Sequence, residues 1–528
     1  MKRILLFTGL SISLSTSFAQ TSDGSKYASV ITGADLKKQL TIIASDEMEG
    51  RETGTEGQRK AAAYIESQFK EIGLKYPSAL KGYQQLYPLY QDSLQMSAFS
   101  LDGKPAIFGT DFITPLNVNE TGKFKNKKII FIGYGIDDPK YSDYYEGLDV
   151  KGKVVVFFLG EPKKDGKYII SGTNRGSEWS FPGVSKKIAV AAQKGAAGAI
   201  FINPNQETFN QRSVDNGKKT GVYFPRPGAA GKQINAVQVA QAYAKTIIGD
   251  NFDTLVKICK ASMSIDKQWG FEKKLKTELK FEKSRTVINA SNVLGIIEGT
   301  DKKDEYVFLT GHYDHLGKHD GKIYYGADDD GSGTCGVIEM ATAFAKAAAE
   351  GHGPRRTLVF MTVSGEEKGL WGSEYYSDHP VFPLEKTSAD LNTDMVGRID
   401  TERKTGDTLN YVYVIGHDKL SSDLPIINEG ANNKNTQLVL DYKFDDPADP
   451  NRIYFRSDHY NFARKGVPIL FFYDGMLKSD YHKPTDTIEK INWDLYEKRV
   501  RMIFNTAWEV ANRDEMLKRD IPLPTTAR

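Results

Sequence analysis

The stretch YVFLTGHYD, from Tyr306 to Asp314, joins a strand-like apolar run to polar groups at its end. Similar apolar runs occur in NVLGIIEG, TLVFMTV, LNYVYVIG and VPILFFY, which begin at Asn292, Thr357, Leu409 and Val467. Helical stretches separate these runs, and alternating strands and helices predict a parallel or mixed sheet. Because the runs are almost continuously apolar, we expect helices on both faces. The predicted fold class is α/β with a mixed, mostly parallel sheet.

Carboxylate and imidazole side chains follow these runs. The run IYYGA predicts a further strand before the aspartates at 328–330, whereas NTD, at 392–394, follows what we interpret as a helical stretch. An open α/β sheet builds its site at the carboxyl ends of its strands. Two imidazoles and several carboxylates there suit a pair of divalent ions, zinc first. The candidate residues are His312, Asp314, Asp329, Glu366, Glu367, Asp394 and His482.

Each of these motifs also has a simpler interpretation. A Glu-Glu pair is usually a solvated helix start, and three consecutive aspartates can form a turn or cap a helix. His312 alone could be a core histidine satisfied by Asp314, and His482 could lie in an ordinary loop. Their joint occurrence in one order favours a metal site that hydrolyses its substrate.

Five motifs together resemble the M28 family of zinc aminopeptidases. They are HYD (His312 to Asp314), GADDDGSG (from Gly326), SGEEKGLWGS (from Ser364), NTDMVGR (from Asn392) and DYHKPTDT (from Asp480). SDEMEGRETGTEG, from Ser45 to Gly57, is similar to the family's opening. A region containing IIFIGYGI, VKGKVVVFFLG and KIAVAAQKGAAGAIFIN, from Ile129, Val150 and Lys187, looks like an inserted protease-associated (PA) domain. The resemblance covers nearly all of the chain after residue 30.

The resemblance implies a role for each candidate. His312 and Asp394 would hold one zinc ion, Glu367 and His482 a second, and Asp329 would bridge them. Glu366 would be the general base that takes the proton of the attacking water. Asp314 would accept the second ring N–H of His312 and so orient it. Tyr481 would donate a hydrogen bond to the oxyanion.

Several other functions fit parts of the sequence. A carboxypeptidase of the same family would need arginines for a terminal carboxylate. Arg398 and Arg456 are candidates, but buried or surface ion pairs are the favoured interpretation of both. A glutaminyl cyclase is a third relative, but it uses one zinc. A non-catalytic binding protein on the same scaffold would not need the complete ligand set. The sequence therefore favours a two-zinc exopeptidase acting on peptides, with aminopeptidase first.

GSGTCG, from Gly331 to Gly336, matches a dinucleotide-binding pattern between a predicted strand and helix. The three preceding aspartates would repel a pyrophosphate and favour cations. We expect these glycines to let the loop approach the metals closely.

The predicted organisation has four parts. Residues 1–19 form a signal peptide, 20–85 the first part of the peptidase domain, 86–283 a β-rich insert with one helix near 185–194, and 284–528 the metal-binding part. The leader has a basic start, a short apolar run and small residues before Gln20, which predicts a secreted or periplasmic protein of bacterial origin. We expect the insert to act as a cover that limits substrate size.

Composition narrows the possible partners. With 70 basic and 68 acidic residues the formal charge is +2, and it becomes 0 without Lys2 and Arg3. Nothing in this balance indicates binding to nucleic acid or to an anionic membrane, and no apolar run reaches the ~20 residues of a membrane span.

Cys259 and Cys335 are not expected to form a disulfide. His459 could be structural or lie near the substrate pocket, and the histidines without a pattern are expected at the surface: His315, His319, His352, His379 and His417.

Overall fold

The computed structural model describes residues 24–180, 183–226 and 233–524. The chain divides into two compact units, one formed by the residues up to Tyr87 and from Asn289 onward, the other by Pro88–Ile288. The predicted signal peptide lies outside the described residues. Within the described ranges, we find no helix with the length and apolarity needed to cross a membrane.

The first unit is built on a mixed, mostly parallel sheet, which confirms the predicted fold class. Parallel pairing joins the central strands, and antiparallel pairing occurs where Tyr411–Ile415 meets Ile469–Tyr473 and where Arg356–Val363 meets Val293 to Ile297. The strands lie in the order Val439–Asp441, Tyr411–Ile415, Ile469–Tyr473, Thr387–Thr393, Lys302–His312, Arg356–Val363 and the end of Phe271–Ile297.

Helices cover this sheet. Gly333–Ala349 and Trp493–Asn512 contact each other and the central strands, and His459–Ala463 contacts Thr387–Thr393 and Ile469–Tyr473. Every residue of Arg356–Val363 is buried, as expected for a strand covered on both faces. The unit's α-helices are Ser25–Ala28, Gly33–Ile43, Glu56–Ile72, Gly333–Ala349, Trp371–Asp378, Leu424–Lys434, His459–Ala463 and Trp493–Asn512.

Local sequence explains the ends of two of these helices. Glu56–Ile72 stops at Gly73, whose φ of +87° is the left-handed conformation that glycine adopts without strain. Asn492 begins Trp493–Asn512 by accepting a hydrogen bond from the Leu495 N–H at 3.1 Å.

Two local predictions were wrong. Asp394 follows the buried strand Thr387–Thr393, not a helical stretch. IYYGA does not add a strand to the central sheet, because only Lys322–Tyr324 is extended and it pairs with Gly317–His319 in a separate hairpin.

The second unit contains its own parallel strands and more helix than predicted. Gly122–Phe131, Val154–Phe158, Gly198–Ile202 and Ala236–Val239 pair in parallel in that order. Phe112–Ile113 and the beginning of Phe271–Ile297 pair antiparallel at the two ends. The helices are Val184–Gln193, Gln211–Lys218, Gln241–Ile248 and Phe252–Lys260; the remaining strands are Gln84–Leu101, which crosses the unit boundary, Lys104–Pro105, Asp137–Asp138, Tyr141–Ser142, Lys163–Lys164 and Lys167–Tyr168.

The two cysteines are buried and unpaired, one in each unit. Cys335 lies in the first turn of Gly333–Ala349 with no exposed surface. It is a small apolar core residue.

Candidate metal centre

Three adjacent parallel strands bring the predicted ligands to one edge of the sheet. Lys302–His312 ends at His312, which lies opposite Val363, the last residue of Arg356–Val363. Glu366 and Glu367 follow that strand after a short turn, and Asp394 comes directly after Thr387–Thr393. Since parallel strands end at the same edge, side chains distant in sequence meet there.

The first group of ligands consists of His312, Asp329 and Asp394. The Nε2 atom of His312 lies 3.3 Å from Oδ1 of Asp329 and 3.6 Å from Oδ1 of Asp394. The Ser457 hydroxyl donates to the other oxygen of Asp394 at 2.6 Å, which fixes that carboxylate. Because zinc binds nitrogen and oxygen at about 2.0–2.2 Å, tetrahedral donors lie roughly 3.3–3.6 Å apart, so this spacing fits an ion.

The second group of ligands uses the other oxygen of Asp329. The Nε2 atom of His482 lies 3.2 Å from Oδ2 of Asp329 and 3.0 Å from Oε2 of Glu367. Each oxygen of Asp329 therefore faces a different imidazole. This is the arrangement required of a carboxylate that two cations share.

The hydrogen bonding at the centre also fits metal ions. Buried polar atoms normally have hydrogen-bond partners. Here several buried atoms that face one another have none among the described residues; they are Nε2 of His312, Nε2 of His482, Oδ2 of Asp329 and Oε1 of Glu367. Cations between these groups would satisfy all four atoms at once.

The pKa values reflect the convergence of opposite charges. Burial lowers the pKa of His482, but Asp329 and Glu367 outweigh it and raise the value to about 10. Burial also lowers the pKa of His312, yet the Asp394 and Glu366 carboxylates hold it well above 6.5. Burial opposes ionisation of Asp329, while His312 and His482 bring its pKa well below 3.8. The carboxylates thus favour positive charge at both imidazoles, and bound metal ions would supply positive charge at the same place.

Glu366 lies beside these ligands in a different environment. Its carboxylate is 3.9 Å from Nε2 of His312 and lines the same pocket as Asp329, Asp394 and Tyr481. Burial raises its pKa well above 4.5, and the negative charges of Glu367 and Asp394 add to that effect. A carboxylate with a raised pKa at a site of hydrolysis is suited to taking and returning a proton.

Asp314 contacts His312 by a different atom from the one predicted. The Nδ1 atom of His312 lies 3.1 Å from the backbone carbonyl of Asp314 and 3.6 Å from its carboxylate. That carboxylate instead accepts the Thr53 hydroxyl at 2.6 Å and the Glu366 backbone N–H at 3.2 Å. Asp314 therefore connects the loop of the general-base candidate to the amino-terminal segment.

Tyr481 and the two candidate arginines have different surroundings. Arg398 forms an ion pair with Asp480 at 2.8 Å, so its guanidinium is already occupied. Arg456 lines the pocket and donates to the Tyr481 hydroxyl at 2.8 Å. Burial raises the pKa of Tyr481 well above 10, so its hydroxyl keeps a proton that it can donate. The apolar part of the pocket is formed by Met395, Ile453, Phe471 and Leu477.

The expectation that His315 lies at the surface was wrong. Its side chain has no exposed surface, and its Nδ1 atom lies 2.7 Å from Oε1 of Glu367. His315, Asp329 and Glu367 form a cluster with donor atoms close enough to hold an ion. His319, His352 and His379 are exposed as expected, and His417 is half-buried. His459 is buried, with Nε2 at 2.9 Å from the Tyr454 carbonyl, which supports the structural interpretation.

Several buried charged residues that sequence reasoning left without a role hold the ligand segments together. The carboxylate of Asp330 accepts backbone N–H groups of His312, Gly333 and Met395 at 2.7–3.0 Å. Asp486 accepts the N–H groups of Asp328 and Asp329 at 3.1–3.2 Å. In the sequence, only their closeness to predicted ligands marks Asp330 and Asp486 as candidates for a role at the centre.

Arg51, in the GRETG stretch, has an equally central position. Its buried guanidinium donates to the carbonyls of Ile43, Tyr313, Tyr325 and Gly326 at 2.6–2.9 Å. It therefore connects the amino-terminal segment to both the His312 and the Asp329 loops.

The glycines that mimic a dinucleotide-binding pattern serve packing. A Cβ atom on Gly333 would lie 2.0 Å from the Thr393 carbonyl oxygen, so only glycine lets the helix start so close to that strand end. The start of the helix thus lies close to Thr387–Thr393, the strand that precedes Asp394. Asp328 and Asp330 are buried and accept backbone N–H groups, and the Asp329 carboxylate faces imidazoles, so this segment is lined by acidic groups that would repel a phosphate.

Comparisons with known proteins agree with this arrangement. Residues 292–507 match the family model of peptidase family M28, and residues 126–247 match that of the PA domain. The chain is 28% identical over 226 residues to a probable leucine aminopeptidase of Trichophyton verrucosum (strain HKI 0517), a match covering 42% of this chain and 57% of that protein. It is 23% identical over 495 residues to a glutamate carboxypeptidase 2 homolog of Caenorhabditis briggsae, covering 84% of this chain and 62% of that protein.

The chain thus spans less than two thirds of the length of both relatives. Among solved structures, an aminopeptidase from Aneurinibacillus sp. strain AM-1 superposes with a TM-score of 0.50 and 17% identity, covering 95% of this chain and 99% of that one. At this identity the likeness concerns the fold.

Proposed function

The chain belongs to peptidase family M28 through residues 292–507, and we propose that it is a zinc aminopeptidase that hydrolyses the first peptide bond of its substrates. The observation that carries this proposal is the position of Asp329, whose two oxygens lie 3.3 Å from His312 and 3.2 Å from His482. A shared carboxylate between two sets of ligands is the requirement of a two-ion hydrolytic site.

The ligands divide between two ions in this proposal. His312 and Asp394 would hold the first, Glu367 and His482 the second, and Asp329 both. Bound zinc supplies Lewis acidity, which polarises the scissile carbonyl and lowers the pKa of a water. The remaining chemistry belongs to side chains of this chain.

Glu366 takes the proton of the attacking water in this mechanism. Its carboxylate lies 3.9 Å from Nε2 of His312 and borders the pocket, while its backbone is fixed by Asp314. The proton then passes to the nitrogen of the leaving amine. The raised pKa of Glu366 favours uptake of this proton from water.

Tyr481 would stabilise the oxyanion that forms as water attacks. Its hydroxyl accepts a hydrogen bond from Arg456, which leaves its own proton free for the substrate oxygen. A donor positioned before the reaction begins stabilises developing charge without reorganising.

The charge of the pocket favours a substrate with a free amine. Asp329, Glu366 and Asp394 line it and would attract the ammonium at the amino end of a peptide. Arg398 is paired with Asp480, which leaves it unsuited to a substrate carboxylate.

One observation supports a second candidate, a carboxypeptidase. Arg456 is exposed in the pocket, and among the described residues no carboxylate lies within ion-pair distance of it. Its guanidinium could therefore bind a terminal carboxylate. The glutamate carboxypeptidase 2 homolog among the relatives is consistent with this alternative.

Two peptides with the same residues separate these functions. One is acetylated at its amino end with a free carboxylate, and the other has a free amine and an amidated carboxyl end. An aminopeptidase cleaves only the second; cleavage of only the first would contradict the proposal and favour the carboxypeptidase.

Two controls make the comparison specific. The variant Glu366→Gln, purified identically, excludes a contaminating peptidase. Removal of metal with a chelator should abolish cleavage and added zinc should restore it. Cleavage that survives complete metal removal would overturn the proposal.

A further inference from the structure

His315 is a buried imidazole that the mechanism above does not use. Neither ring nitrogen has a hydrogen-bond partner among the described residues, and the side chain has no exposed surface. Leaving a buried polar atom without a partner destabilises a fold. A histidine with both nitrogens in that condition therefore indicates a missing partner.

The Nδ1 atom of His315 faces the second group of ligands. It lies 2.7 Å from Oε1 of Glu367 and 3.9 Å from Oδ2 of Asp329. The first distance brings this imidazole directly against a carboxylate of the second group of ligands. The rings of His315 and His482 have centroids 5.9 Å apart and planes at 73°.

The surroundings of His315 hold its ring in this position. A Cβ atom on Gly326 would lie 2.4 Å from Cγ of His315, so the Gly326 backbone packs directly against the ring. The backbone N–H of His315 donates to the Arg51 carbonyl at 3.4 Å, and Glu52 forms a parallel bridge with His315. A nitrogen donor that packing and backbone pairing hold in place is already positioned to bind an ion.

We propose that Nδ1 of His315 is a further protein ligand of the second metal position, beside Glu367, His482 and the shared Asp329. This inference rests on the two-ion site of the proposed function. The second position then has two imidazoles and two carboxylates, whereas the first has one imidazole, His312, and two carboxylates. The two positions are therefore chemically different.

This difference has a consequence for metal preference. Imidazole favours zinc and copper, whereas carboxylates also suit manganese and magnesium. Zinc should consequently fill the second position, which contains His315, before the first. The first position, which contains His312 and has a larger share of oxygen ligands, should exchange its ion more readily.

Metal titration of a His315 variant tests the assignment. His315→Phe retains the ring shape and removes both nitrogens. Metal-free protein is titrated with zinc against a chromogenic chelator at neutral pH. We expect the wild type to bind two ions with different affinities, and His315→Phe to lose about 10- to 100-fold in the tighter one with the weaker one unchanged. Two unchanged affinities in His315→Phe would overturn the proposal.

A matched control and a second variant keep the result interpretable. His417→Phe changes a half-buried histidine that pairs with Glu429, outside the centre, and should bind both ions as the wild type does. If His315→Phe does not fold, His315→Asn is loaded with cobalt instead. Its visible absorption should change relative to the wild type, and an identical spectrum would overturn the proposal.

Peptide hydrolysis by the wild type is measured on the same samples. Wild-type protein that binds two ions but cleaves no peptide would contradict the proposed function and leave the role of His315 intact. Cleavage of the free-amine peptide together with unchanged zinc binding by His315→Phe would contradict the role of His315 and leave the proposed function intact.

Discussion

The Nε2 atom of His312 lies 3.3 Å from Oδ1 of Asp329, and the second oxygen of the same carboxylate faces His482 at 3.2 Å. Asp329 is thus the only protein group among the described metal candidates that contacts both imidazoles. The two halves of the centre depend on this one side chain.

Asp329→Ala should therefore weaken both metal positions. Each would lose a ligand, and we expect fewer than two ions per chain together with loss of hydrolysis. Metal content by elemental analysis, after dialysis against zinc at a fixed free concentration, checks this. The exposed Asp446→Ala is the control and should keep both ions. Two ions retained in Asp329→Ala would argue against sharing.

Glu366→Gln should separate chemistry from metal binding. The amide has nearly the same shape as the carboxylate but cannot accept the proton of water, so kcat should fall by roughly 10²–10⁴. Zinc content should remain that of the wild type, since Glu366 is not among the proposed ligands. Steady-state kinetics and elemental analysis on one preparation provide both values, and near-normal turnover would assign the base elsewhere.

Tyr481→Phe should lower kcat with little change in KM. The hydroxyl is proposed to contact an oxygen whose charge develops only during the reaction, and loss of such a donor costs about 10²–10³ in rate. The control is Tyr442→Phe, because Tyr442 stacks on His417 away from the pocket. A change confined to KM would mean that Tyr481 binds substrate without stabilising the oxyanion.

Zinc binding should release protons and strengthen with rising pH. Burial lowers the pKa of His482, but Asp329 and Glu367 raise it to about 10, so the metal-free imidazole is protonated at pH 7. Zinc requires the neutral ring and must displace that proton. Calorimetric titrations in buffers of different ionisation enthalpy count the protons released, and a count of zero would contradict the charge balance.

The raised pKa of His482 also makes the stability of the metal-free protein depend on pH, and this stability falls as the pH rises. Because the folded-state pKa of His482 lies above its unfolded value of about 6.5, its stabilising contribution is complete below pH 6.5. It is lost as the pH rises towards 10. Stability of the metal-free form should therefore decline across this range while zinc affinity increases.

Arg51→Met should destabilise the first unit strongly. The substitution leaves four backbone carbonyls without their charged donor, and we expect a loss of roughly 3–5 kcal/mol in the free energy of unfolding. Urea denaturation of the metal-free chain measures it. Arg59→Met, which removes only an exposed pair with Glu56, should change stability by less than about 1 kcal/mol. Equal effects would show that the Arg51 contacts are unimportant.

The sequence predicted the main strands because burial on both faces leaves an almost continuous apolar run. YVFLT and TLVFMTV lie in strands of the central sheet, and VPILFFY contains the strand Ile469–Tyr473. The same rule fails for Thr387–Thr393, whose sequence TSADLNT is largely polar. There the Thr310 hydroxyl lies 2.7 Å from an Asp390 carboxylate oxygen and 2.9 Å from the Asn392 side-chain oxygen, so contacts between strands accommodate polar side chains in the sheet interior. No periodic pattern reveals such partners.

The candidate ligands were predictable for a related reason. His312, Asp394 and Glu367 stand at or just after strand ends, where the family motifs also place them. His315 and Arg51 were missed because their positions depend on contacts between distant segments. The Arg51 guanidinium joins loops more than 250 positions apart in sequence, and only the folded chain brings them together.

The most direct test of the two-ion centre is a crystal structure of the zinc-loaded protein with anomalous scattering recorded at the zinc edge. The account predicts two peaks roughly 3.5–4 Å apart, with one oxygen of Asp329 bound to each. A single peak, or two peaks that do not share Asp329, would contradict it.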